Sequence, residues 1–441
     1  MTAAWPETGI MDQVVPAAAS RGPVSWTGQA RDRVTARFAF LDRPLTDFYL
    51  VLGTTTLLLT LGLVMVLSTS SAYGLMKGIS PWAGLQHQLL GVLIGLPCMW
   101  LAARSAPARF RAAAYPLMFI SLLGLAVVPF IGVTVDGGAR WLQIGPLQVQ
   151  PSELAKFAFV LWGADLLARK EKLGQLNEWR QLLIPLVPGV ALMGLLVMLG
   201  DDLGTTFMLL IIFLALLWII GTPARLMLAL LALIGLMLLM LIVVQPYRME
   251  RLLGFWHPGG SPTGPQQQSI QGKWAVGSGG WFGVGLGASR EKWGWVPDST
   301  TDFIFAILGE ELGLVGTLCV TFLYGGLAYG GLRIARRVDD TFMRLAAGAA
   351  TAWIVVQALV NICAVIDLLP ITGVPLPLVS EGLSSLLVTM VALGMLMSFA
   401  KREPGAQQAL AEAGPGAGLR VLSWLGLAGR PEKPAAPGRR R

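Results

Sequence analysis

The chain has 441 residues, of which 54% are hydrophobic and only 13% are charged, and its formal net charge is +8. Ordinary soluble domains contain about 25% charged residues. This composition excludes a disordered chain and a small disulfide scaffold, and it leaves too few charges to cover a water-soluble globule. The sequence therefore predicts a protein that crosses a membrane several times, in which basic residues report topology and not nucleic-acid binding.

The membrane spans can be placed in chain order, because each needs about 20 apolar residues. Nine runs have this character: 48–70, 84–103, 113–133, 182–199, 203–221, 224–244, 303–331, 346–366 and 382–400. A weaker run at 153–168 carries Lys156 and Asp165. Counting it predicts an all-α integral membrane bundle of ten helices over residues 48–400, between tails at 1–47 and 401–441 that we expect to be mostly disordered.

The distribution of positive charge supports the count of ten. With the N-terminus in the cytoplasm, 25 of the 33 Lys and Arg residues fall in cytoplasmic tails or loops, as the positive-inside rule requires. Leaving out the run at 153–168 would move the basic segment 169–180 to the outer side. We therefore expect both tails to be cytoplasmic.

Few side chains are suited to holding a metal ion. The cysteines lie in apolar runs and are expected to be small buried hydrophobic residues, and there are only two histidines. These residues are Cys98, Cys319, Cys363, His87 and His257. We expect no metal centre held by the protein alone.

One outer loop is long, from 245 to 301, between predicted helices seven and eight. Cationic and aromatic residues are interspersed along it: Arg248, Arg251, Trp256, Lys273, Trp274, Trp281, Arg290, Lys292, Trp293 and Trp295. They suit a ligand with sugar rings and phosphates, but they are equally typical of an interfacial belt. Both interpretations are open from composition alone. The glycine-rich segment 277–287 predicts a close approach of backbone to a neighbouring helix.

Acidic residues stand at the start of predicted helix eight. Asp302 could cap this helix, or Thr300 or Thr301 could cap it and leave Asp302 for chemistry. Glu310 and Glu311 fall at membrane depth, where carboxylates are costly and usually functional. Glu310 lies within about 80° of Asp302 around the helix, so we expect it to face the same cavity. We expect Glu311 to pair with another helix.

Two further pairs of polar residues lie at membrane depth. Glu153 and Lys156 are three residues apart, and Gln357 and Asn361 are four apart. These spacings place each pair on one helix face. We expect both pairs to be structural contacts within or between helices.

Together these features resemble the SEDS family of shape, elongation, division and sporulation proteins, and within it the FtsW proteins more than RodA. The resemblance covers roughly 45–400. Its segments are RWLQIGPLQVQPSELAKFAFVLWGADLLARK (140–170), DLGTT (202–206), GSGGWFGVGLGASREKWGWVPDSTTDFIFAILGEELGLVG (277–316) and LLPITGVPLPLVSEGLSS (368–385). It implies a ten-helix SEDS-type bundle in the bacterial cytoplasmic membrane. It also implies a peptidoglycan glycosyltransferase that polymerises lipid II at the outer face, at the division septum.

By this resemblance Asp302 falls on the family's catalytic aspartate, in VPDSTTDFIF (296–305). Asp302 is expected to take the proton of a GlcNAc 4-hydroxyl, which then displaces undecaprenyl diphosphate from MurNAc. Cations on the outer side are expected to hold the diphosphate. Expected substrate contacts are Arg140, Trp141, Lys273, Arg290, Lys292 and Glu310.

The resemblance also implies a class B penicillin-binding transpeptidase as partner, beside other divisome membrane proteins and lipids, and it leaves a divalent cation (Mg or Mn) open as a cofactor. The chain departs from the family pattern at Asp201, Thr300, Asp367 (in place of a glycine), Glu381 and Leu383. Three of these changes add acid, which should weaken diphosphate binding. Two alternatives therefore stay open: a lipid II flippase, a role also proposed for the family, and a non-catalytic scaffold for the transpeptidase.

Overall fold

The computed structural model describes residues 45–135, 138–145, 147–175, 178–245, 249 and 265–406. The expected disorder of 1–44 and 407–441 lies outside the described residues. So do four of the side chains considered above: Arg248, Arg251, Trp256 and His257.

The described part of the chain is mostly helical. Its helices are α1 (Thr46–Lys77), α2 (Ala83–Arg104), α3 (Pro107–Ile131), α4 (Pro151–Lys172), α5 (Trp179–Leu183), α6 (Leu186–Met198), α7 (Leu203–Ile219), α8 (Ala224–Val243), α9 (Pro265–Ser278), α10 (Ile304–Arg337), α11 (Thr341–Val365) and α12 (Leu383–Ala400). Among the described residues, eight helical segments, with Arg180–Met198 taken as one, are long and apolar enough to cross a membrane. The multi-pass helical fold is therefore confirmed. The count of ten stays a prediction, because α4 is highly charged and α7 has only 17 residues.

A small sheet between α3 and α4 differs from the expected all-α fold. Strands β1 (Val133–Val135), β2 (Gly138–Ile144) and β3 (Leu147–Val149) pair antiparallel in the order β1-β2-β3. The predicted helix to residue 133 is corrected accordingly, since α3 ends at Ile131 and Gly132 is extended. The β-branched run VTV at 133–135, between glycines at 132 and 137, is the signal that would have indicated a strand.

Helix α4 explains how a charged helix can belong to this bundle. Almost every residue of α4 is buried, and the helix packs against α3, α7 and α11. Its buried Asp165 lies 3.0 Å from Arg111 Nε and 2.7 Å from Arg169 Nε. Helix α8, by contrast, is only 11% buried in its most apolar stretch. Helix α8 is therefore placed to face lipid, whereas the buried charges of α4 at Glu153, Lys156 and Asp165 are paired.

Helix α10 is interrupted at Gly313, which has φ 68° and ψ −163°. The glycine-rich loop fills the interruption through four backbone hydrogen bonds: Val284 N to Glu310 O (2.9 Å), Gly285 N to Glu311 O (3.1 Å), Leu314 N to Gly280 O (2.9 Å) and Val315 N to Trp281 O (3.1 Å). These bonds satisfy backbone groups that lipid could not. The close approach expected for this segment is confirmed.

Substitutions at two glycines of this loop can distinguish the effect of close packing on stability from the effect of backbone strain. Gly283 and Gly287 both have φ 79°, but a Cβ on Gly283 would overlap the Glu311 carbonyl, whereas one on Gly287 meets nothing within 4 Å. We expect Gly287→Ala to lower the free energy of unfolding by about 1–2 kcal/mol, from the positive φ alone. Gly283→Ala should lower it further, because the loop must withdraw from α10. Thermal unfolding in detergent measures both changes, and equal shifts would contradict the packing.

The end of α10 remote from Gly313 carries a cluster of charges. Arg333 Nε lies 3.1 Å from Asp47 Oδ1 on α1, and Arg337 Nη1 lies 3.8 Å from Glu403 Oε2, just after α12. Burial raises the pKa of Glu403 to about 7, the Asp47 charge adds to this rise, and the two arginines oppose it.

This cluster predicts a decline of stability with rising pH. The folded protein retains a proton on Glu403 that the unfolded chain releases near pH 4.5, so stability should be lost as the pH rises from 4.5 to about 7. Across this range we expect the thermal midpoint of the wild type to fall by a few degrees relative to Glu403→Gln. The exposed Asp339→Asn serves as control and should follow the wild type. Parallel profiles for wild type and Glu403→Gln would contradict the expectation.

Candidate active site

The segment between α11 and α12, residues 366–382, has no regular secondary structure, yet residues 374 and 376–380 are buried. Backbone groups enclosed away from water need partners inside the protein. Three side chains of the neighbouring helices supply them: Asn361 Nδ2 to Val374 O (2.8 Å), Gln357 Nε2 to Pro375 O (2.9 Å) and the Tyr324 hydroxyl to Pro377 O. The segment is therefore held rigidly against α10 and α11.

Asp302 lies in the turn that leads into α10, two residues before the helix begins at Ile304. Three hydrogen bonds hold this turn to neighbouring elements: Asn361 Nδ2 to Asp302 O (2.8 Å), Ser380 Oγ to Thr301 O (2.6 Å) and Glu381 N to Thr300 O (3.0 Å). The Asp302 side chain is partly exposed. Its Oδ2 lies beside Gly373, where a Cβ would come within 3.6 Å of it. The carboxylate thus reaches the surface from a fixed backbone.

The two predicted polar pairs form a buried network behind this turn. Lys156 Nζ donates to Glu153 Oε1 at 2.9 Å and to Gln357 Oε1 at 3.0 Å. Gln357 Oε1 also accepts a hydrogen bond from Trp353 Nε1 at 2.9 Å. Asn361, one turn further along α11, bonds both to Val374 O and to Asp302 O. The network therefore links α4 and α11 to the backbone that carries Asp302.

Lys292 does not occupy the position that the sequence suggested. It is only 3% exposed, and its Nζ donates to Glu311 Oε1 (2.9 Å), Ser68 Oγ (2.9 Å) and Gly287 O (2.7 Å). An ammonium group has three hydrogens, so none remains for a phosphate. The expected substrate contact is corrected accordingly: Lys292 anchors its loop to α1 and α10. Glu311 meets α1 at Ser68, in agreement with the expected pairing to another helix.

Glu310 is also engaged by the loop. Its carboxylate accepts hydrogen bonds from Arg290 N (2.9 Å), Glu291 N (3.4 Å) and Ser289 Oγ. These donors account for its burial, so its expected contact with substrate is revised to a structural one. The Arg290 side chain, in contrast, is exposed and stays a candidate for substrate contact.

Lys273 on α9 forms an ion pair with Asp367, at the end of α11. Lys273 Nζ lies 2.7 Å from Asp367 Oδ2, and Ser269 Oγ donates to Asp367 Oδ1 at 2.7 Å. Asp367 has φ 61°, a conformation that favours glycine. The negative charge added at this position is therefore offset by Lys273. A substrate group that contacts Lys273 would also lie close to the Asp367 carboxylate.

Glu381 adds less negative charge than the sequence alone suggests. Burial raises the pKa of Glu381, while the charge of His87 and a hydrogen bond with Thr300 lower it in part. His87 Nδ1 lies 4.0 Å from Glu381 Oε1. A carboxyl group with a raised pKa is protonated for a larger fraction of the time, so its repulsion of a diphosphate is reduced.

Arg140 lies on β2 and is held by the turn before α7. Its Nε donates to Gly200 O at 3.2 Å and its Nη2 to Asp201 O at 2.8 Å. These bonds leave other N–H groups of the guanidinium for a ligand. Trp141, the next residue of β2, is half-buried. Asp202 caps α7 by accepting a hydrogen bond from Thr205 N at 2.9 Å.

Sequence reasoning missed three residues of this site: Gln88, Tyr324 and Ser380. Gln88 Nε2 donates to Ser380 O at 3.2 Å, and its Oε1 accepts a hydrogen bond from Gly382 N at 3.3 Å. A signal for Gln88 was available, because a glutamine in an apolar span needs a partner. Tyr324 and Ser380 gave no such signal, since each becomes essential only when the segment 366–382 packs against it.

Comparisons with known proteins agree with one another. A family model described as "Cell cycle protein", for FtsW, RodA and SpoVE, matches residues 47–404. The "Probable peptidoglycan glycosyltransferase FtsW" of Mycobacterium tuberculosis is 40% identical over 392 residues, covering 88% of this chain and 74% of that protein. A chain from a solved "peptidoglycan synthase complex" has a TM-score of 0.66 and 26% identity, over 80% of this chain and 96% of its own. The Thermus thermophilus rod shape determining protein RodA has a TM-score of 0.60 and 26% identity, over 80% of this chain and 96% of its own.

The buried Lys292–Glu311 pair yields a test of its structural role. Lys292→Met leaves the fully buried Glu311 without a counter-ion, so we expect a loss of about 3–5 kcal/mol in unfolding free energy. The double variant Lys292→Met with Glu311→Gln should recover much of that loss. Arg290→Gln, which removes an exposed charge from the same loop, should leave the unfolding midpoint unchanged. A stable, fully folded Lys292→Met protein would contradict the assignment.

Proposed function

The chain belongs to the FtsW, RodA and SpoVE family of cell cycle proteins, and from this membership and the geometry around Asp302 we infer that it is a peptidoglycan glycosyltransferase of the cell membrane. The substrate we propose is lipid II, polymerised into glycan strands during septal cell-wall synthesis. The observation that carries this proposal is the Asp302 turn. Its backbone is bonded to Asn361 and its carboxylate is partly exposed.

In the proposed reaction Asp302 acts as the general base. Its carboxylate takes the proton from the 4-hydroxyl of a GlcNAc unit, and that oxygen forms the new bond to the anomeric carbon of MurNAc. The bond from this carbon to the diphosphate breaks, and the electron pair leaves with undecaprenyl diphosphate, so the configuration is inverted. A glycosidase needs a second carboxyl group to protonate a poor leaving group. A diphosphate leaves without that help.

Charge on the leaving diphosphate has to be balanced by cations. Arg140, with unused N–H groups, and the exposed Arg290 are the residues we propose for this task, with Lys273 shared between substrate and Asp367. In the described part of the chain, no group of three or more His, Cys, Asp or Glu residues is arranged to hold a metal. We propose that a divalent cation such as Mg²⁺ or Mn²⁺, where one takes part, arrives with the diphosphate.

The proposed setting is the bacterial cytoplasmic membrane, with both tails in the cytoplasm and Asp302 at the outer face. The basic residues of α10 at Arg333, Arg336 and Arg337 support this orientation, because they lie at the end of the helix remote from Asp302. The partner we propose is a class B penicillin-binding transpeptidase. It is supported by the similar complex, which is described as coordinating polymerization and crosslinking.

The catalytic role is tested with purified protein, its transpeptidase partner and labelled lipid II. We expect Asp302→Asn to lower the polymerisation rate by about 10²–10⁴, the range for loss of a general base, while membrane insertion and partner binding persist. Asp339→Asn removes an exposed carboxylate at the other end of α10 and should polymerise like the wild type.

Three other outcomes would each contradict part of the proposal. Polymer formation by Asp302→Asn at the wild-type rate would exclude Asp302 as the base. No polymer from the wild type, with partner binding intact, would favour a scaffold. Equal transfer of lipid II across vesicles by wild type and Asp302→Asn, without polymer, would favour a flippase.

A further inference from the structure

A hollow at the end of the bundle remote from Asp302 gathers three cations. It lies between the end of α2 and the residues that follow α12, has a volume of about 440 Å³, and is lined by Ala103, Arg104, Lys401 and Arg402. Helices α2 and α12 both begin near the Asp302 turn, where Gln88 meets Ser380 and Gly382. Their opposite ends, and hence the hollow, belong to the other side of the membrane domain.

All contacts of these cations within the described residues are with neutral groups. Lys401 Nζ donates to Ala103 O at 3.1 Å and lies 4.8 Å from the Phe48 ring centroid. Arg402 Nη1 donates to Ser398 O at 2.6 Å, and the Arg104 guanidinium lies 3.9 Å from the Trp100 ring. Among the described residues no carboxylate pairs with any of the three.

The adjacent Glu403 does not neutralise the hollow, because it is paired with Arg337 at 3.8 Å and because burial raises its pKa to about 7. Burial lowers the pKa of Lys401, and the charges of Arg104 and Arg402 lower it further. Three like charges held together without a counter-ion are electrostatically unfavourable. An anion bound among them would reverse that cost, and a phosphate matches the two guanidinium groups in geometry as well as charge.

The surroundings of the hollow favour a lipid over a free phosphate. The surface of α2 beside it is apolar and exposed, at Leu93, Leu96, Trp100 and Leu101. Acyl chains could lie along this surface while the head group sits at the helix end, where Trp100 marks the interface. Basic pockets at the cytoplasmic ends of membrane helices are suited to anionic lipid head groups.

We propose that Arg104, Lys401 and Arg402 form a binding site for the phosphodiester head group of an anionic phospholipid. The site is separate from the glycosyltransferase site and ties the end of α2 to the residues after α12. Its occupant is recognised by phosphate charge at the head group and by acyl chains along α2.

The test uses the full-length protein in neutral detergent, titrated with phosphatidylglycerol or phosphatidylcholine and observed by native mass spectrometry. The triple variant R104Q/K401Q/R402Q should bind phosphatidylglycerol at least about tenfold more weakly than the wild type. The control R109Q/K172Q/R336Q removes the same charge from exposed residues at the ends of α3, α4 and α10 and should change the affinity less than about twofold. Charge-conserving K401R/R402K should bind like the wild type.

The remaining outcomes overturn the proposal. Equal weakening in the site and control variants would reduce the effect to net charge. Phosphatidylcholine binding as tight as phosphatidylglycerol binding would remove the role of the anion. Displacement of the lipid by millimolar inorganic phosphate would assign the hollow to free phosphate. If the triple variant does not fold, the three single Gln variants are measured, and unchanged phosphatidylglycerol affinity in all three would overturn the proposal.

Discussion

Backbone carbonyl groups that are buried in a membrane bundle but do not belong to a helix cannot accept hydrogen bonds from water. The segment 374–380 contains several such carbonyl groups. Three of these carbonyls, those of Val374, Pro375 and Pro377, accept hydrogen bonds from side chains. The donors are Asn361, Gln357 and Tyr324 respectively. The same Asn361 amide also bonds to Asp302 O. One side chain thus satisfies buried backbone of this segment and also holds the backbone that carries the candidate catalytic carboxylate.

The same requirement governs the interruption of α10 at Gly313. Where Gly313 interrupts α10, the glycine-rich loop takes over the hydrogen bonds that the helix gives up. Glycine is needed on both sides of this contact, since a Cβ on Gly283 or Gly313 would overlap the facing backbone. Glu310 and the Lys292–Glu311 pair then fasten the rest of the loop. The two segments of irregular backbone that meet α10, at 277–287 and 366–382, are thus each held by buried polar contacts.

Charge is distributed differently at the two ends of the bundle. Near Asp302 two of the three added acids are moderated: Asp367 pairs with Lys273, and burial raises the pKa of Glu381. The departures from the family pattern therefore cost less for diphosphate binding than their formal charge suggests. At the other end three cations meet in one hollow without a carboxylate among the described residues. We therefore propose different anions for the two ends: a lipid-linked diphosphate near Asp302 and an anionic head group at the hollow.

Composition and hydropathy alone determined the membrane class and most of the helices, because a span must be long and apolar whatever its neighbours are. Spacing alone placed Glu153 beside Lys156, because residues three apart share a helix face. Tertiary structure decided the rest. The sequence indicated that Lys292 is an exposed base, but its loop packs on α10 and buries it. Lys273 and Asp367 form an ion pair although they are 94 residues apart in the chain. Contacts of that range depend on how helices pack, which no local pattern encodes.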